Sequence, residues 1–366
     1  MLIRSLTRED LPQVAELLAT RDGVGTENAV KRTAILEWIA FQNPYAEEGE
    51  PRYFVAEEEG KVVALHGRMP VLFSIKGEYH RGYYVHDLSV HRDSLKKGQG
   101  LWLTLALAKA IEEGTESFFC LVGMTPLNQQ MQRRRHYHEM FADSYVKVFR
   151  PREILPIIVQ NRLLANVLAL PLRLGLAIAD WFVLRPSPYL PELTRISIFD
   201  ERFDRLFARV AGKLNICSVK NSAYLRWKYG EGPCREDAVL AYISNDEVRG
   251  FVVVGCIQSR GVPVGVIKEI IADPDEKETV LHLFKSAVRF LRDQRVSAIL
   301  CILTEERFVK QLKKLIFFRR TNHEPIFLGN LNKVNQHKEM LSDIRNWHMM
   351  FGESDLFMFG RDRSSI

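Results

Sequence analysis

The sequence lacks the marks of several common protein classes. Only five of its 366 residues are cysteine, and no two of them form a C-x-x-C pair. An odd, scattered set of cysteines argues against a disulfide framework or a zinc module and fits a reducing compartment. The N-terminus is polar by its fifth residue, which argues against a secretory signal peptide. We therefore expect a cytoplasmic protein.

The chain also has only a small excess of positive charge. Lysine and arginine number 51 and aspartate and glutamate 45, so the formal net charge is +6. Hydrophobic residues make up 46% and charged residues 26%, which is ordinary for a globular protein and excludes long disorder, collagen and coiled coil. A mild positive balance suits phosphate-bearing ligands or anionic surfaces. Without a basic stripe, we expect no nucleic-acid partner.

A long clean hydrophobic run is missing as well. The apolar stretch from Leu163 to Leu184 is interrupted by Pro171, Arg173 and Asp180, whereas a spanning helix needs about 20 apolar residues. We predict no transmembrane segment and two helices packed between domains. A weak contact of residues 155–185 with a membrane surface stays open as an alternative. The proline-rich stretch 185–191 that follows is typical of a stiff connector.

On either side of this stretch, the hydrophobic patterns predict the same order of elements twice. The first half is predicted as β-α-α-β-β-β-α-β-α, with strands at 53–56, 62–66, 71–75 and 82–90. Its longest helix begins near Gly98–Gly100 and ends at Glu113, with an apolar face of Leu101, Leu105, Ala108 and Ile111. The duplication predicts an α+β protein with domains at 1–150 and 192–366, joined by an apolar helical linker at 151–191.

The loop after strand 82–90 carries the clearest functional signal. Two glycines, Gly98 and Gly100, open a helix, and Lys96 and Lys97 precede them. A helix N-terminus presents unpaired amides and a positive dipole end, and glycine lets a ligand approach the backbone closely. This pattern predicts a diphosphate site, and it differs from the P-loop because G-x-x-x-x-G-K-[ST] is absent. A plain strand-to-helix turn softened by glycine is the alternative.

With these residues, the chain resembles the GNAT (GCN5-related N-acetyltransferase) superfamily. The family's loop is [RQ]-x-x-G-x-[GA], and this chain matches it at Gly98 and Gly100, with Leu95 at the basic position. The resemblance is to the tandem two-domain form, similar to GNAT-like proteins of bacterial polysaccharide gene clusters. It implies mixed, mostly antiparallel sheets flanked by helices, and acetyl-coenzyme A as co-substrate with no metal.

The resemblance also implies roles for particular residues. The amides of the fourth strand would polarise the acyl carbonyl, the loop would hold the pyrophosphate, and an asparagine after the fifth strand would touch the cofactor. In this sequence the strand amides are those of Leu88, Ser89 and Val90. The loop residues are Lys96, Lys97, Gly98, Gln99 and Gly100, and the asparagine is Asn128.

Two residues are the predicted catalytic groups. His86 stands where many family members have a glutamate base, and an imidazole titrates near neutral pH without help. Asp87 follows directly and should point to the opposite strand face, so we expect only His86 to face the cofactor. Tyr137 is the predicted general acid, two residues beyond the usual tyrosine position. His136 and His138 fall on a predicted helix, point apart and are not expected to chelate a metal.

The second half resembles the same family with a different loop. The segment Tyr224–Tyr229 fits the helix-aromatic-proline pattern of the tandem proteins. The loop Ile271–Lys277 contains no glycine and three carboxylates, which would repel a pyrophosphate and complement the helix dipole themselves. We predict a degenerate, non-binding second domain.

These observations predict an acetyl-coenzyme A dependent N-acetyltransferase that acetylates an amine of a small molecule or sugar. Two alternatives stay open: a catalytically inactive GNAT-like scaffold, and a two-domain aminoacyl transferase of cell-envelope biosynthesis that uses aminoacyl-tRNA. The sequence leaves the acceptor and the oligomeric state open.

Overall fold

A computed structural model of the chain describes residues 1–22, 27–122, 125–159, 161–185, 191–232, 234–320 and 324–353. These residues form two compact units, each assembled from separate stretches. The first unit contains Met1–Phe73, Tyr79–Met140 and Pro325–Ser342. The second contains Ser74–Glu78, Phe141–Glu324 and the described chain from Asp343 onward. The stretch 151–191 lies within the second unit, and the functional domains 1–150 and 192–366 stay predictions.

The strands and α-helices follow one another in an order close to the one expected. In chain order they are β1 (Leu2–Ser5), α1 (Leu11–Asp22), α2 (Glu27–Phe41), β2 (Tyr53–Glu58), β3 (Lys61–Ile75), β4 (Glu78–Val90), α3 (Arg92–Lys96), α4 (Gly100–Glu113), β5 (Phe119–Val122), α5 (Pro126–Arg134), β6 (His138–Ala142), β7 (Ser144–Val148), α6 (Pro151–Ile158), α7 (Arg162–Val183), β8 (Thr194–Ile196), α8 (Glu201–Ala211), β9 (Ile216–Ser218), α9 (Ser222–Leu225), β10 (Ala238–Ser244), β11 (Glu247–Ser259), β12 (Val262–Ala272), α10 (Lys277–Asp293), β13 (Ala298–Ile302), α11 (Glu306–Lys313), β14 (Phe318–Arg319), β15 (Glu324–Gly329) and α12 (Lys338–Leu341).

The first unit is built on a mixed sheet. Seven of its strands stand in the order β1-β2-β3-β4-β5-β15-β6. Strands β1 and β2, β2 and β3, and β5 and β15 pair antiparallel, whereas β4 and β5 pair parallel. The expected strands 62–66 and 71–75 are one continuous strand, β3, which passes through Gly67 and Pro70.

The second unit repeats this plan. Its strands stand in the order β8-β10-β11-β12-β13-β7-β14, again with one parallel pair, β12 and β13. In both sheets the strand next to the last comes from the other half of the sequence. That strand is β15 in the first sheet and β7 in the second. The two mixed sheets flanked by helices confirm the predicted α+β class.

Helix α4 packs with a face that overlaps the predicted one in part. Ala108 and Ile111 are buried as predicted, together with Leu103 and Leu107, while Leu101 and Leu105 are exposed. Leu103 and Leu107 join Ala56 and Ala64 of the sheet in one apolar cluster. Because nearly every position of α4 is apolar, the sequence alone does not select the face that packs.

Candidate functional site

Strand β4 leaves its parallel neighbour before it ends. The ladder with β5 joins Tyr83–Val85 to Phe119–Leu121, and β4 continues from His86 to Val90. Strand β5 ends at Val122, so β4 extends beyond the described end of its parallel neighbour. Leu88, Ser89 and Val90 lie on this extension.

The loop after β4 is partly helical rather than a plain strand-to-helix turn. It contains a short helix, α3, whose N-cap His91 accepts a hydrogen bond from Asp93 N at 3.2 Å. Gly98 then adopts φ +75°, and no atom lies within 4 Å of the position where its Cβ would be. Gln99 is the N-cap of α4, and the first turn of α4 contains no acidic residue. The amides of that turn have no partner within the helix and carry its positive dipole end.

The side chains beside this loop are only loosely held. Lys96 pairs with Asp93 at 3.4 Å and Lys97 with Glu58 at 3.8 Å, and both lysine side chains are more than half exposed. Exposed pairs of this kind contribute little to stability. A Cβ on Gly100 would lie 2.5 Å from Leu95 Cδ2. Leu95 therefore covers the start of α4 at the position where the family has a basic residue.

Asn128 lies at the same edge of the sheet. It belongs to the first turn of α5, which follows β5, and its backbone N–H donates to Thr125 Oγ1 at 3.4 Å. Because β4 and β5 are parallel, their carboxyl ends share one edge. The contact of Asn128 with a co-substrate held at this edge stays a prediction.

On the same extension of β4, a buried cluster joins His86 to Asp87. His86 Nδ1 lies 3.1 Å from Asp87 Oδ2, and Tyr53 donates its hydroxyl to the same oxygen at 3.3 Å. The expectation that Asp87 points away from His86 is wrong. Asp87 adopts φ +53°, in the left-handed region, which breaks the alternation of side chains along the strand. The sequence offered no signal for this conformation or for Tyr53.

Two residues of β3 shape the space around His86. A Cβ on Gly67 would lie 2.6 Å from Tyr53 Cε1 and 2.8 Å from His86 Cε1, so only glycine leaves room for both rings. His66 is buried beside it. Burial, reinforced by His86, lowers the pKa of His66 to about 3 and keeps its ring neutral.

Tyr137 lies elsewhere in the first unit. It follows α5, stacks edge-on against Phe119 at 5.5 Å and donates its hydroxyl to Glu112. Burial and the carboxylate of Glu112 raise the pKa of Tyr137 above its usual range. Phe119 pairs with Tyr83, three residues before His86, which corresponds to roughly 10 Å along the strand. A role for Tyr137 as general acid stays a prediction.

Other polar groups near Tyr137 are paired with one another. Arg133 binds Glu139 through two nitrogens, and Arg135 pairs with Glu112 at 2.6 Å. The expected helix ends at Arg134, so His138 lies on β6 and its Nε2 contacts Ser342 O at 2.7 Å. Among the described residues, no group of three His, Cys, Asp or Glu side chains is arranged to hold a metal ion.

The corresponding strand end of the second unit has the opposite charge. After β12, Asp273 accepts hydrogen bonds from Lys213 at 2.5 Å and from Asp275 N at 3.0 Å. Asp275 also pairs with Arg307 at 3.2 Å. Carboxylates occupy the place that the glycine loop has in the first unit, and positive side chains neutralise them. The geometry agrees with the prediction that this end binds no pyrophosphate, which stays a prediction.

Neither a protein-family model nor a curated protein matches the chain. Among solved structures, it is similar to a GCN5-related N-acetyltransferase from Anabaena variabilis, with a TM-score of 0.57 and 12% identity over 89% of this chain and 72% of that one. N-myristoyltransferase from Saccharomyces cerevisiae, with bound myristoyl-CoA, has a TM-score of 0.53 at 11% identity over 89% and 78%. A probable N-acyltransferase from Enterococcus faecalis has a TM-score of 0.54 at 10% identity over 89% and 72%. At these identities the similarity shows the fold, and the predicted GNAT fold is confirmed.

Proposed function

We propose, from the premise that the chain has the GNAT fold, that it is an acyl-CoA-dependent N-acyltransferase whose first unit holds the co-substrate. The observation that carries this proposal is the glycine-opened start of α4 directly after β4. Gly98, just before that start, has a left-handed conformation, and the first turn of α4 contains no carboxylate. The unpaired amides of that turn and the open space at Gly98 suit a diphosphate.

We further propose that the acyl group is acetyl and that the acceptor is an amine of a small molecule or sugar. Both extend the resemblance of residues 1–150 to acetyltransferases, and similar solved structures from Anabaena variabilis and Kribbella flavida are described as N-acetyltransferases. Lys96, Lys97, Gly98, Gln99 and Gly100 would hold the pyrophosphate, and Asn128 would contact the co-substrate from the neighbouring strand end. The bound thioester would supply the activated acyl carbonyl.

The residues of β4 would perform the chemistry. Backbone amides between Leu88 and Val90 would donate to the carbonyl oxygen as negative charge develops on it. Asp87 accepts from His86 Nδ1, which selects the tautomer whose basic nitrogen is Nε2. Nε2 would take the proton that the attacking amine releases, and Tyr53 would keep Asp87 oriented by its hydrogen bond.

The test is binding of acetyl-coenzyme A measured by isothermal titration calorimetry. We expect one site per chain in the wild type and loss of binding in Gly98→Asp, because the new carboxylate would repel the pyrophosphate. Gly261→Asp is the matched control, since Gly261 has φ +76° and, like Gly98, no atom within 4 Å of its Cβ position. Circular dichroism would verify that both variants fold.

Two results would contradict the proposal. A folded wild type that binds no acetyl-coenzyme A would leave the inactive scaffold as the better hypothesis. Binding that survives Gly98→Asp but fails in Gly261→Asp would place the co-substrate in the second unit.

A further inference from the structure

Helix α7 presents a long apolar surface to solvent. Ten of its large hydrophobic side chains are between 42% and 78% exposed; they are Leu163, Leu164, Val167, Leu168, Leu170, Leu172, Leu174, Ile178, Trp181 and Phe182. At roughly 100 Å² each, they form a patch on the order of 1,000 Å², whereas a monomeric soluble protein rarely exposes more than a few hundred. By length and composition alone, Leu163–Val183 could cross a membrane, with a mean hydropathy of 1.6.

A narrow stripe on the other side attaches the helix to the second unit. Ala165, Ala169 and Leu176 are buried there, together with Asp180. Lys147 of β7 donates its ammonium to Asp180 at 2.5 Å and to Leu315 O at 2.8 Å. Removing the helix from the unit would leave a buried charge without its partner, which is strongly unfavourable. This ion pair keeps α7 packed against the second unit.

The polar residues of α7 are few. Between Leu163 and Phe182 the only polar residues are Asn166, Arg173 and Asp180, each seven positions apart. Seven residues make nearly two full helical turns, so these three share one side of the helix, next to the buried stripe. Asp180 is buried, whereas Asn166 and Arg173 are exposed at the edge of the stripe. The rest of the exposed surface of α7 from Leu163 to Phe182 is apolar.

The charge around this face has one dominant sign. Residues 150–185 contain five arginines and two acidic residues, 5 − 2 = +3, half of the net charge of the whole chain. At the end of the helix, the Arg185 guanidinium lies 3.7 Å from the ring centroid of Trp181, and Phe182 stacks on Trp181 at 4.8 Å. Aromatic rings capped by arginine are typical of the boundary between hydrocarbon and lipid headgroups.

We propose that α7 docks the protein on an anionic lipid bilayer, lying in the plane of the membrane surface with its apolar face in the lipid. The charge excess matches anionic headgroups, which attract basic residues close to the membrane surface. A spanning orientation would require the Lys147–Asp180 pair to break. Pairing of two copies through this face would bring their arginines together without compensating carboxylates.

Vesicle flotation of the full chain would test the proposal. We expect it to bind phosphatidylglycerol–phosphatidylcholine vesicles, and to bind pure phosphatidylcholine at least about tenfold more weakly. The triple variant Val167→Glu/Leu174→Glu/Ile178→Glu should lose at least about tenfold in vesicle affinity, since it places charges in the buried face. The control Ile198→Glu/Phe318→Glu alters exposed apolar residues elsewhere in the second unit and should bind as the wild type does.

Each alternative occupant gives its own result. A wild-type dimer in analytical ultracentrifugation that the triple variant converts to monomer, without vesicle binding, would identify a second copy as the partner and overturn the proposal. Resistance of the bound protein to alkaline carbonate extraction would indicate a spanning helix and would also overturn it. Equal affinity of the triple variant and the control for anionic vesicles would exclude α7 as the contact. These readouts are independent of acetyl-coenzyme A binding.

Discussion

Strands β4 and β12 occupy the same place in their two sheets, and each places a buried carboxylate near its carboxyl end. Asp87 of β4 is held by Tyr53 and His86, on the part of β4 that extends beyond β5. Glu269 of β12 is enclosed by two lysines, Lys220 at 3.6 Å and Lys228 at 3.2 Å. The first arrangement places an imidazole against the carboxylate, whereas the second places two ammonium groups around it.

The enclosure of Glu269 depends on an unusual helix. Residues Arg226–Glu231 form a π-helix, in which each turn is wider than in an α-helix. Tyr224 and Tyr229 both donate their hydroxyls to Glu269 Oε1, at 2.8 and 2.5 Å, and Lys228 points to the same oxygen. We propose that similar strand positions serve two purposes: an acid–base pair in one unit and a buried cluster of paired charges in the other.

The largest expected effect that would separate these purposes is a fall in kcat. We expect His86→Gln to lower kcat by 10²- to 10⁴-fold, because the amine loses its proton acceptor, and Asp87→Asn to lower it by about tenfold or more. Steady-state rates with acetyl-coenzyme A and an amine found by acceptor screening would measure this.

The matched control is Glu269→Gln. It should reduce the free energy of unfolding by about 3–5 kcal/mol, since it breaks a buried ion pair, while kcat per folded molecule stays unchanged. A His86→Gln variant that binds acetyl-coenzyme A and turns over at the wild-type rate would remove His86 from the mechanism. Loss of kcat in folded Glu269→Gln would give the second unit a catalytic part.

The structure explains which features could be predicted from sequence. The loop at Gly98 and Gly100 and the position of Asn128 follow from local patterns, since glycine and a strand-to-helix order are visible in the chain. The contact of His86 with Asp87 was not predictable, because it depends on a left-handed backbone at a non-glycine residue. The exchange of β7 and β15 between sheets was missed for another reason: strand order depends on contacts between distant segments.

A smaller effect concerns the response of the two units to acid. His66 has a folded pKa of about 3, whereas the unfolded side chain titrates near 6.5, so the first unit should lose stability as pH falls from about 6.5 toward 3. Burial alone raises the pKa of Glu269, but Lys220 and Lys228 overcome it and lower the pKa to about 2. The second unit should therefore keep the contribution of Glu269 above about pH 4.5 and lose it as pH falls through 2.

Hydrogen exchange followed by mass spectrometry, with peptides assigned to the first unit, would measure the response around His66. Between about pH 6 and 4.5 we expect protection to fall in β3 and β4. The variant His66→Gln should flatten this response. An unchanged response of β3 and β4 in His66→Gln would contradict the assignment of this window to His66.

The smallest expected effect comes from placing a methyl group against the ring of His86 while leaving the polar atoms of His86 and Asp87 unchanged. In Gly67→Ala, the new methyl group would meet the rings of Tyr53 and His86 at 2.6 and 2.8 Å, so His86 must turn away from Asp87. We expect kcat to fall about tenfold, because a small displacement of a base weakens proton transfer.

Gly82→Ala on β4 is the matched control, since its methyl group would meet Phe73 at 2.8 Å instead. Both variants should lose about 1–3 kcal/mol of stability from overpacking, and only Gly67→Ala should lose kcat. Equal losses of kcat in both would mean that the rate depends on the stability of the sheet rather than on the orientation of His86.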